Sequence, residues 1–84
     1  MPTPPPFARD RRWRWGASRR REIGRRVWYD ARTRFEYEPD PRGSHRGGPR
    51  TWHEINPRTG EYRDVDPRTG APVAGSEGHW RPLK

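Results

Sequence analysis

Two residue types that can transfer protons stand side by side in the segment TWHEI, residues 51–55: His53 and Glu54. An imidazole accepts or donates a proton near neutral pH, and a carboxylate can do the same or can orient the imidazole. With an arginine to stabilise phosphorane charge, these groups suffice for metal-free cleavage of RNA, because the ribose 2′-hydroxyl supplies the nucleophile. The structural alternatives are a glutamate that only pairs with an arginine and a histidine that only covers surface.

Sequence motifs typical of other catalytic and cofactor-binding sites are absent from this chain. There is no HxH or HExxH spacing, no nucleophile elbow, no P-loop and no dinucleotide fingerprint. The chain has no cysteine, which excludes disulfides and thiolate metal sites. We therefore predict no metal site and no cofactor. No stretch approaches the ~20 apolar residues of a membrane span, so no membrane-spanning segment is expected.

Short strands joined by turns must position these residues. FEYE at 35–38 alternates with a period of two, and the phrases NPRTG at 56–60 and DPRTG at 66–70 are separated by one strand length. In such turns, proline fixes φ at the second position and glycine supplies a positive φ at the end. We predict a mainly β, small α+β fold built from antiparallel hairpins. Within strand 51–55, Trp52 and Glu54 should share one face and His53 the other, unless a bend or bulge in the strand relaxes this alternation.

The composition predicts one small domain with a thin, aromatic core. Only 26% of the 84 residues are hydrophobic, and 12% of the chain is aromatic. Residues 1–10 are expected to form a disordered, proline-rich leader. Residues 11–26 form a basic Arg/Trp arm in which Ala17 to Ile23 has room for one or two helical turns. Residues 27–84 are predicted to be the folded β domain.

Charge is concentrated in the arm. Residues 1–26 carry nine arginines against Asp10 and Glu22, whereas the other residues are nearly balanced within a total of +8. Arginine binds phosphate bidentately and stacks on bases, so this distribution predicts a nucleic-acid ligand. Alternatives are a basic tail without a ligand, a general preference for arginine over lysine, and membrane-surface binding. The predicted RNA-binding residues are Arg11, Arg12, Trp13, Arg14, Trp15, Arg19, Arg20, Arg21, Arg25, Arg26, Arg58 and Arg68.

The order of these motifs resembles a known toxin family. GRRVWYD at 24–30 and VDPRTG at 65–70 are similar to segments in the C-terminal ribonuclease domain of the ribosome-cleaving colicins and related polymorphic or contact-dependent toxins. The similarity runs in order over roughly residues 11–84. It implies a strongly twisted antiparallel sheet, metal-independent cleavage of ribosomal RNA, and neutralisation by a cognate immunity protein. It also implies a delivered effector that acts in the cytoplasm of a target cell.

The resemblance assigns roles to particular residues. Asp30 takes the position of the family's aspartate, Arg81 that of its C-terminal arginine, and Glu54 that of its glutamate, with Glu36 and His79 as further candidates. The family's histidine position is occupied by Thr33, so His53 is the expected replacement. We expect Glu54 as general base and His53 as acid, or the reverse, with Asp30 orienting the site and Arg81 stabilising the phosphorane.

Two other classes of function compete with this prediction. One is a non-catalytic RNA- or ribosome-binding module, and the other is an interaction domain of a larger secreted protein. In the toxin interpretation, the charge of +8 requires an acidic immunity protein.

Overall fold

Antiparallel strands account for nearly all regular structure in the computed structural model, which describes residues 3–8, 12–44, 50–73 and 79–83. The strands are β1 (Trp13–Ala17), β2 (Arg26–Asp30), β3 (Glu36–Ser44), β4 (Arg50–Asn56), β5 (Glu61–Val65) and β6 (Arg81–Pro82). They form one sheet in sequence order, and every neighbouring pair is antiparallel. The mainly β prediction is confirmed.

The described residues contain no helix. The segment from Ala17 to Ile23, for which one or two helical turns were expected, is not helical. Its first residue is the last of strand β1, and residues 21–23 form a turn. Seven residues flanked by glycines are too few for a helix to form without tertiary packing.

The strand register gives the sheet two different faces. Trp28 lies opposite Tyr37, Tyr37 opposite Glu54, and Glu54 opposite Arg63. These residues, with Trp13, Trp15, Asp30, Trp52 and Val65, form what we call the aromatic face. Because side chains alternate along a strand, the residues between them point to the other side. That side, which we call the acidic face, carries Val27, Glu36, Glu38, Asp40, His53, Ile55, Tyr62, Asp64 and Arg81.

The main core covers the aromatic face. Its buried members are Trp28, Tyr37, Trp52 and Val65, and partly buried rings of Phe7, Trp13, Trp15 and Phe35 pack against them. The Phe7 and Trp13 rings lie 5.2 Å and 5.0 Å from the Tyr37 ring, in edge-to-face geometry. Residues of the leader (Phe7) and of the arm (Trp13 and Trp15) thus pack against the core. Among the described residues, regular structure begins at Trp13, well before residue 27. The physical reason is the shortage of aliphatic residues elsewhere in the chain.

A second, smaller core lies on the acidic face. Ile23, Val27 and Ile55 are buried together, with Tyr62 and Leu83 packed around them. Ile23 belongs to the connection between β1 and β2, residues 18–25, which crosses over this face. The arm is therefore part of the folded domain and packs against the acidic face through Ile23.

The two PRTG phrases form the same turn. In each, the backbone N–H of the arginine donates to the side chain of the first residue, at 2.9 Å for Asn56 and 2.7 Å for Asp66. In each, the glycine N–H donates to the carbonyl of that first residue. Gly60 and Gly70 have φ of 74° and 76°. The predicted turn chemistry is confirmed.

A third copy of this turn, unrecognised in the sequence, is DARTR at residues 30–34. The Arg32 N–H donates to Asp30 Oδ1 at 2.8 Å, and the Arg34 N–H donates to the Asp30 carbonyl at 2.7 Å. Arg34 stands where the other copies have glycine, and its φ is 71°. A residue with a Cβ is disfavoured in this region by about 1–2 kcal/mol.

Replacing Arg34 with glycine should therefore stabilise the protein. We expect Arg34→Gly to raise the free energy of unfolding by about 0.5 kcal/mol, because glycine relieves the strain but gives back part of the gain as unfolded-state entropy. Urea unfolding followed by tryptophan fluorescence measures this. Arg32→Gly, at an exposed position of the same turn where φ is not positive, is the control and should lose stability. A destabilised Arg34→Gly variant would contradict the turn assignment.

Candidate functional site

His53 and Glu54 lie on opposite faces of the sheet, as the strand alternation predicted. Glu54 is buried on the aromatic face, where Tyr37 Oη donates to its Oε2 at 2.6 Å and Arg63 Nε donates to its Oε1 at 2.7 Å. Burial raises the pKa of Tyr37, and the Glu54 carboxylate raises it further, so the phenol stays protonated as a donor. Both oxygens of Glu54 are thus occupied, and the structure does not bring Glu54 together with His53.

Three more buried carboxylates have both oxygens bonded in the same way. Asp30 accepts from Arg12 Nε at 3.0 Å and from the Arg32 backbone N–H. Glu36 accepts from Ser18 Oγ at 2.5 Å and from the Arg19 N–H at 2.9 Å. These are the arrangements expected of carboxylates that hold a fold together.

Glu38 completes this set on the acidic face. Arg25 binds it through Nε at 2.9 Å and Nη2 at 2.7 Å, a bidentate fork that fills both carboxylate oxygens. Glu38 lies directly opposite His53 across the β3–β4 pair.

His53 faces two other carboxylates. Its Nε2 lies 3.4 Å from Asp40 Oδ2 and 3.4 Å from Asp64 Oδ1, and its side chain is only 12% exposed. Its ring packs on Tyr62 with centroids 4.4 Å apart. Strand β5 positions both neighbours, because Asp64 is the cross-strand partner of His53 and Tyr62 lies two residues earlier on the same face.

Arg81 joins this cluster from strand β6. Its Nη2 donates to Asp64 Oδ2 at 2.8 Å, and its guanidinium lies 4.9 Å from the centre of the Tyr62 ring. Nearly half of its side chain (48%) is exposed, so the guanidinium can meet a ligand. The structure thus brings together His53 and Arg81, two of the predicted residues, through Asp64. Asp30 lies on the aromatic face, and His79 is exposed.

Asp64 differs from the carboxylates described above. Its side chain is only 10% exposed, yet Oδ1 has no hydrogen-bond donor among the residues that the structure describes. Oδ1 and Asp40 Oδ2 both point at His53 Nε2, and the three atoms lie within 4.8 Å of one another. One imidazole and two carboxylates can share a proton or bind a metal ion.

Sequence reasoning missed Asp40 and Asp64. Asp64 could have been predicted from the sequence. The NPRTG turn joins the two strands of a hairpin, and the register of that hairpin places Asp64 opposite His53. Asp40 could not, since it adjoins a register shift between Pro39 and Ser44.

A basic pocket is formed by the β1–β2 connection. Its volume is about 400 Å³, and its lining is Ala17, Ser18, Arg19, Arg20, Arg21, Gly24, Arg25 and Arg26. Arg20 pairs with Glu22 and Arg25 with Glu38. The other three guanidinium groups have no acidic partner within the described ranges. Arg25 links the pocket to the cluster, because its partner Glu38 lies opposite His53.

The other predicted RNA-binding residues are in varied surroundings. Arg12 pairs with Asp30, and the Trp15 ring packs at a tilt against Trp28 with centroids 5.5 Å apart, so neither side chain extends freely from the surface. Trp13 packs in the aromatic core. Arg14, Arg58 and Arg68 are exposed. Arg11 lies outside the described residues.

Comparisons of the chain with protein-family models, with curated proteins and with solved structures found no match. The resemblance to colicin-type ribonucleases therefore stays a prediction. In the described part of the chain, no helix has the length and apolar character to cross a membrane.

The geometry changes what is expected of Glu54. Glu54→Gln should lower the free energy of unfolding by about 1–3 kcal/mol, because it weakens two hydrogen bonds at a buried group. Any catalytic rate of the folded protein should stay unchanged, since Glu54 lies on the face opposite His53. Chemical unfolding and rate measurements on the same samples check both expectations. Glu61→Gln, a half-buried residue of the neighbouring strand, is the control. A rate loss without a stability loss would restore Glu54 as a catalytic residue.

Proposed function

We propose that the protein is a toxin-type endoribonuclease that cleaves RNA without a metal ion, through attack of the ribose 2′-hydroxyl on the adjacent phosphate. The observation that carries the proposal is the convergence of His53, Asp64 and Arg81 on one face. They comprise a proton-transfer group, a carboxylate to orient it and a half-exposed cation, which are the parts that this reaction needs.

His53 is the residue that moves the proton in this proposal. Its Nε2 faces Asp40 and Asp64, so a proton on Nε2 lies between two carboxylates, and the Nδ1 lone pair is left as the base. Nδ1 has no hydrogen-bond partner among the described residues. It takes the 2′-hydroxyl proton as the 2′-oxygen bonds to phosphorus, and the resulting imidazolium returns a proton to the departing 5′-oxygen. The products are a 2′,3′-cyclic phosphate and a 5′-hydroxyl.

Arg81 supplies the positive charge for this step. The phosphorane carries more negative charge on its oxygens than the phosphodiester does, so a fixed cation nearby stabilises the transition state more than the substrate. The ion pair with Asp64 and the Tyr62 ring hold the guanidinium beside His53. Its exposed portion remains open to a phosphate.

The basic pocket supports RNA as the substrate. Arg19, Arg21 and Arg26 surround a concavity without acidic partners in the described part of the chain, which favours an anion. Arginine forks bind phosphate oxygens in pairs. In the toxin interpretation the target is ribosomal RNA, and an acidic immunity protein covers this same basic surface in the producing cell.

A non-catalytic RNA-binding module is the second candidate. It is favoured by one observation: Asp30, Glu36, Glu38 and Glu54 all have both oxygens bonded, as purely structural carboxylates would. In that case the pocket binds RNA and the His53 cluster only stabilises the sheet.

Substitution of His53 separates the two candidates. His53→Ala should lower the rate of RNA cleavage by about 100-fold or more, the usual scale for loss of a general base. RNA affinity should change little. The assay uses ribosomes and naked RNA in EDTA, with detection of the cyclic phosphate end. His79→Ala removes an exposed histidine and serves as the control.

Two outcomes would contradict the nuclease proposal. One is a wild-type protein that binds RNA but forms no cyclic phosphate in EDTA. The other is equal cleavage by wild type and by a folded His53→Ala variant. The first outcome favours the binding module, and the second leaves His53 without a catalytic role.

The pocket arginines should set the salt dependence of RNA binding. Replacing Arg19, Arg21 and Arg26 together with glutamine should reduce the slope of log affinity against log salt by up to about 2, because up to three phosphate contacts release fewer counterions. Fluorescence anisotropy with a single-stranded RNA measures the slope. The comparison variant replaces Arg32, Arg58 and Arg68, which occupy equivalent exposed turn positions. Equal losses in both triple variants would show that total charge, and not the pocket, determines binding.

A further inference from the structure

Three atoms that carry lone pairs meet on the acidic face: His53 Nε2, Asp40 Oδ2 and Asp64 Oδ1. Carboxylate oxygens only accept hydrogen bonds, and a neutral imidazole protonated on Nδ1 offers Nε2 as an acceptor as well. Atoms of this kind repel one another unless a positive charge lies between them. A proton on Nε2 or a metal ion can supply that charge, and Thr51 Oγ1 also donates weakly to Asp40 Oδ2, at 3.5 Å.

The distances fit a metal ion better than a hydrogen bond. Both Nε2–oxygen separations are 3.4 Å, longer than the ~2.7–3.2 Å of an N–H···O hydrogen bond. Zinc binds imidazole nitrogen and carboxylate oxygen at about 2.0–2.2 Å in tetrahedral geometry, and the edge of such a tetrahedron is roughly 3.4 Å. Both nitrogen–oxygen separations therefore match the edge of a tetrahedron around one metal ion, and the three ligand atoms all lie within 4.8 Å of one another.

An independent observation points to the same place. Asp64 Oδ1 is buried without a hydrogen-bond donor in the described ranges, although the side chain is nine-tenths buried and aimed at His53. Leaving such an atom unsatisfied costs free energy, so it marks a position where a ligand is expected. Arg81 occupies only the other oxygen, Oδ2, and so orients the carboxylate in the way that outer-shell partners orient metal ligands.

We propose that Asp40, His53 and Asp64 form a binding site for one divalent transition-metal ion of the Zn²⁺ class. The imidazole nitrogen selects zinc-like ions over Mg²⁺ and Ca²⁺, which prefer oxygen ligands alone. Three protein ligands leave the fourth position to water.

The binding itself does not depend on the function proposed above, but its consequence does. A metal on Nε2 places the remaining imidazole proton on Nδ1, because His53 would bind as a neutral ligand. Nδ1 then has no lone pair for the 2′-hydroxyl proton. Zinc is therefore expected to inhibit RNA cleavage reversibly, and EDTA to restore it.

Direct binding is the first test. Protein freed of metal with EDTA and then dialysed is titrated with ZnCl₂ by calorimetry, and bound zinc is counted after equilibrium dialysis. We expect one zinc per chain and a higher melting temperature with zinc present. Asp64→Asn and Asp40→Asn should each weaken binding by at least about tenfold, since even outer-shell changes cost that much. MgCl₂ should give no comparable heat.

Matched controls identify the site. Glu61→Gln removes a negative charge from the same strand as Asp64 but on the opposite face, and should bind zinc like wild type. His79→Ala tests the exposed histidine. Circular dichroism verifies that each variant is folded. If Asp64→Asn does not fold, the comparison uses Asp40→Asn and His53→Ala.

The outcomes separate the two proposals. Zinc that fails to bind near stoichiometrically, or that binds folded Asp64→Asn and Asp40→Asn as tightly as wild type, overturns the metal site. Zinc binding without loss of cleavage overturns only the inhibition. Zinc binding by a protein that never cleaves RNA in EDTA leaves the metal site standing and overturns the proposed nuclease.

Discussion

The fold depends on carboxylates buried in pairs with arginine or hydroxyl donors, because the chain has too little apolar material to fill a sheet from both sides. Only 26% of its residues are hydrophobic. Among the described residues, the buried polar side chains are as numerous as the buried hydrophobic ones, and all but one of the former are carboxylates. A buried charge costs free energy unless its partners replace water at its oxygens. The arginines that satisfy these carboxylates are therefore needed for the fold as the aromatic rings are, although their own side chains stay partly exposed.

This requirement explains why the basic arm belongs to the folded domain. Arg12 binds Asp30 and Arg25 binds Glu38, so arginines of the arm satisfy carboxylates on both faces of the sheet. Removing the arm would leave those carboxylates unsatisfied and would also remove Trp13 and Ile23 from the two cores. The high positive charge therefore has two components. One neutralises buried acids, and the other remains at the surface as the basic pocket.

Local sequence patterns predicted the two PRTG turns, the strand between them and the faces of strand 51–55, because each depends on neighbouring residues. Strand β1, which lies in the segment predicted to be a basic arm, was not predicted. Alternation placed Trp52 and Glu54 together and His53 on the other side, and the two PRTG phrases have the predicted turn. Partners distant in sequence were beyond these patterns. The bond from Tyr37 to Glu54 and the approach of Asp40 to His53 depend on the β3–β4 register, which a bulge shifts. Glu54 looked catalytic in the sequence because its two hydrogen-bond donors lie on other strands.

The hydrogen bonds of the buried carboxylates distinguish Asp64 from four of the others. Asp30, Glu36, Glu38 and Glu54 each have a donor at both oxygens, so their surroundings are complete without a ligand. Asp64 has an arginine at one oxygen and, within the described residues, no donor at the other. The described sheet thus satisfies both oxygens of four buried carboxylates but leaves one oxygen of Asp64 without a donor beside the largely buried His53. Unsatisfied buried polar atoms in an otherwise well-satisfied structure tend to occur at functional sites, where a ligand or a reaction offsets their cost in stability. The position of the exception, between an imidazole and a half-exposed arginine, is therefore stronger evidence for a site than the presence of any of the three residues alone.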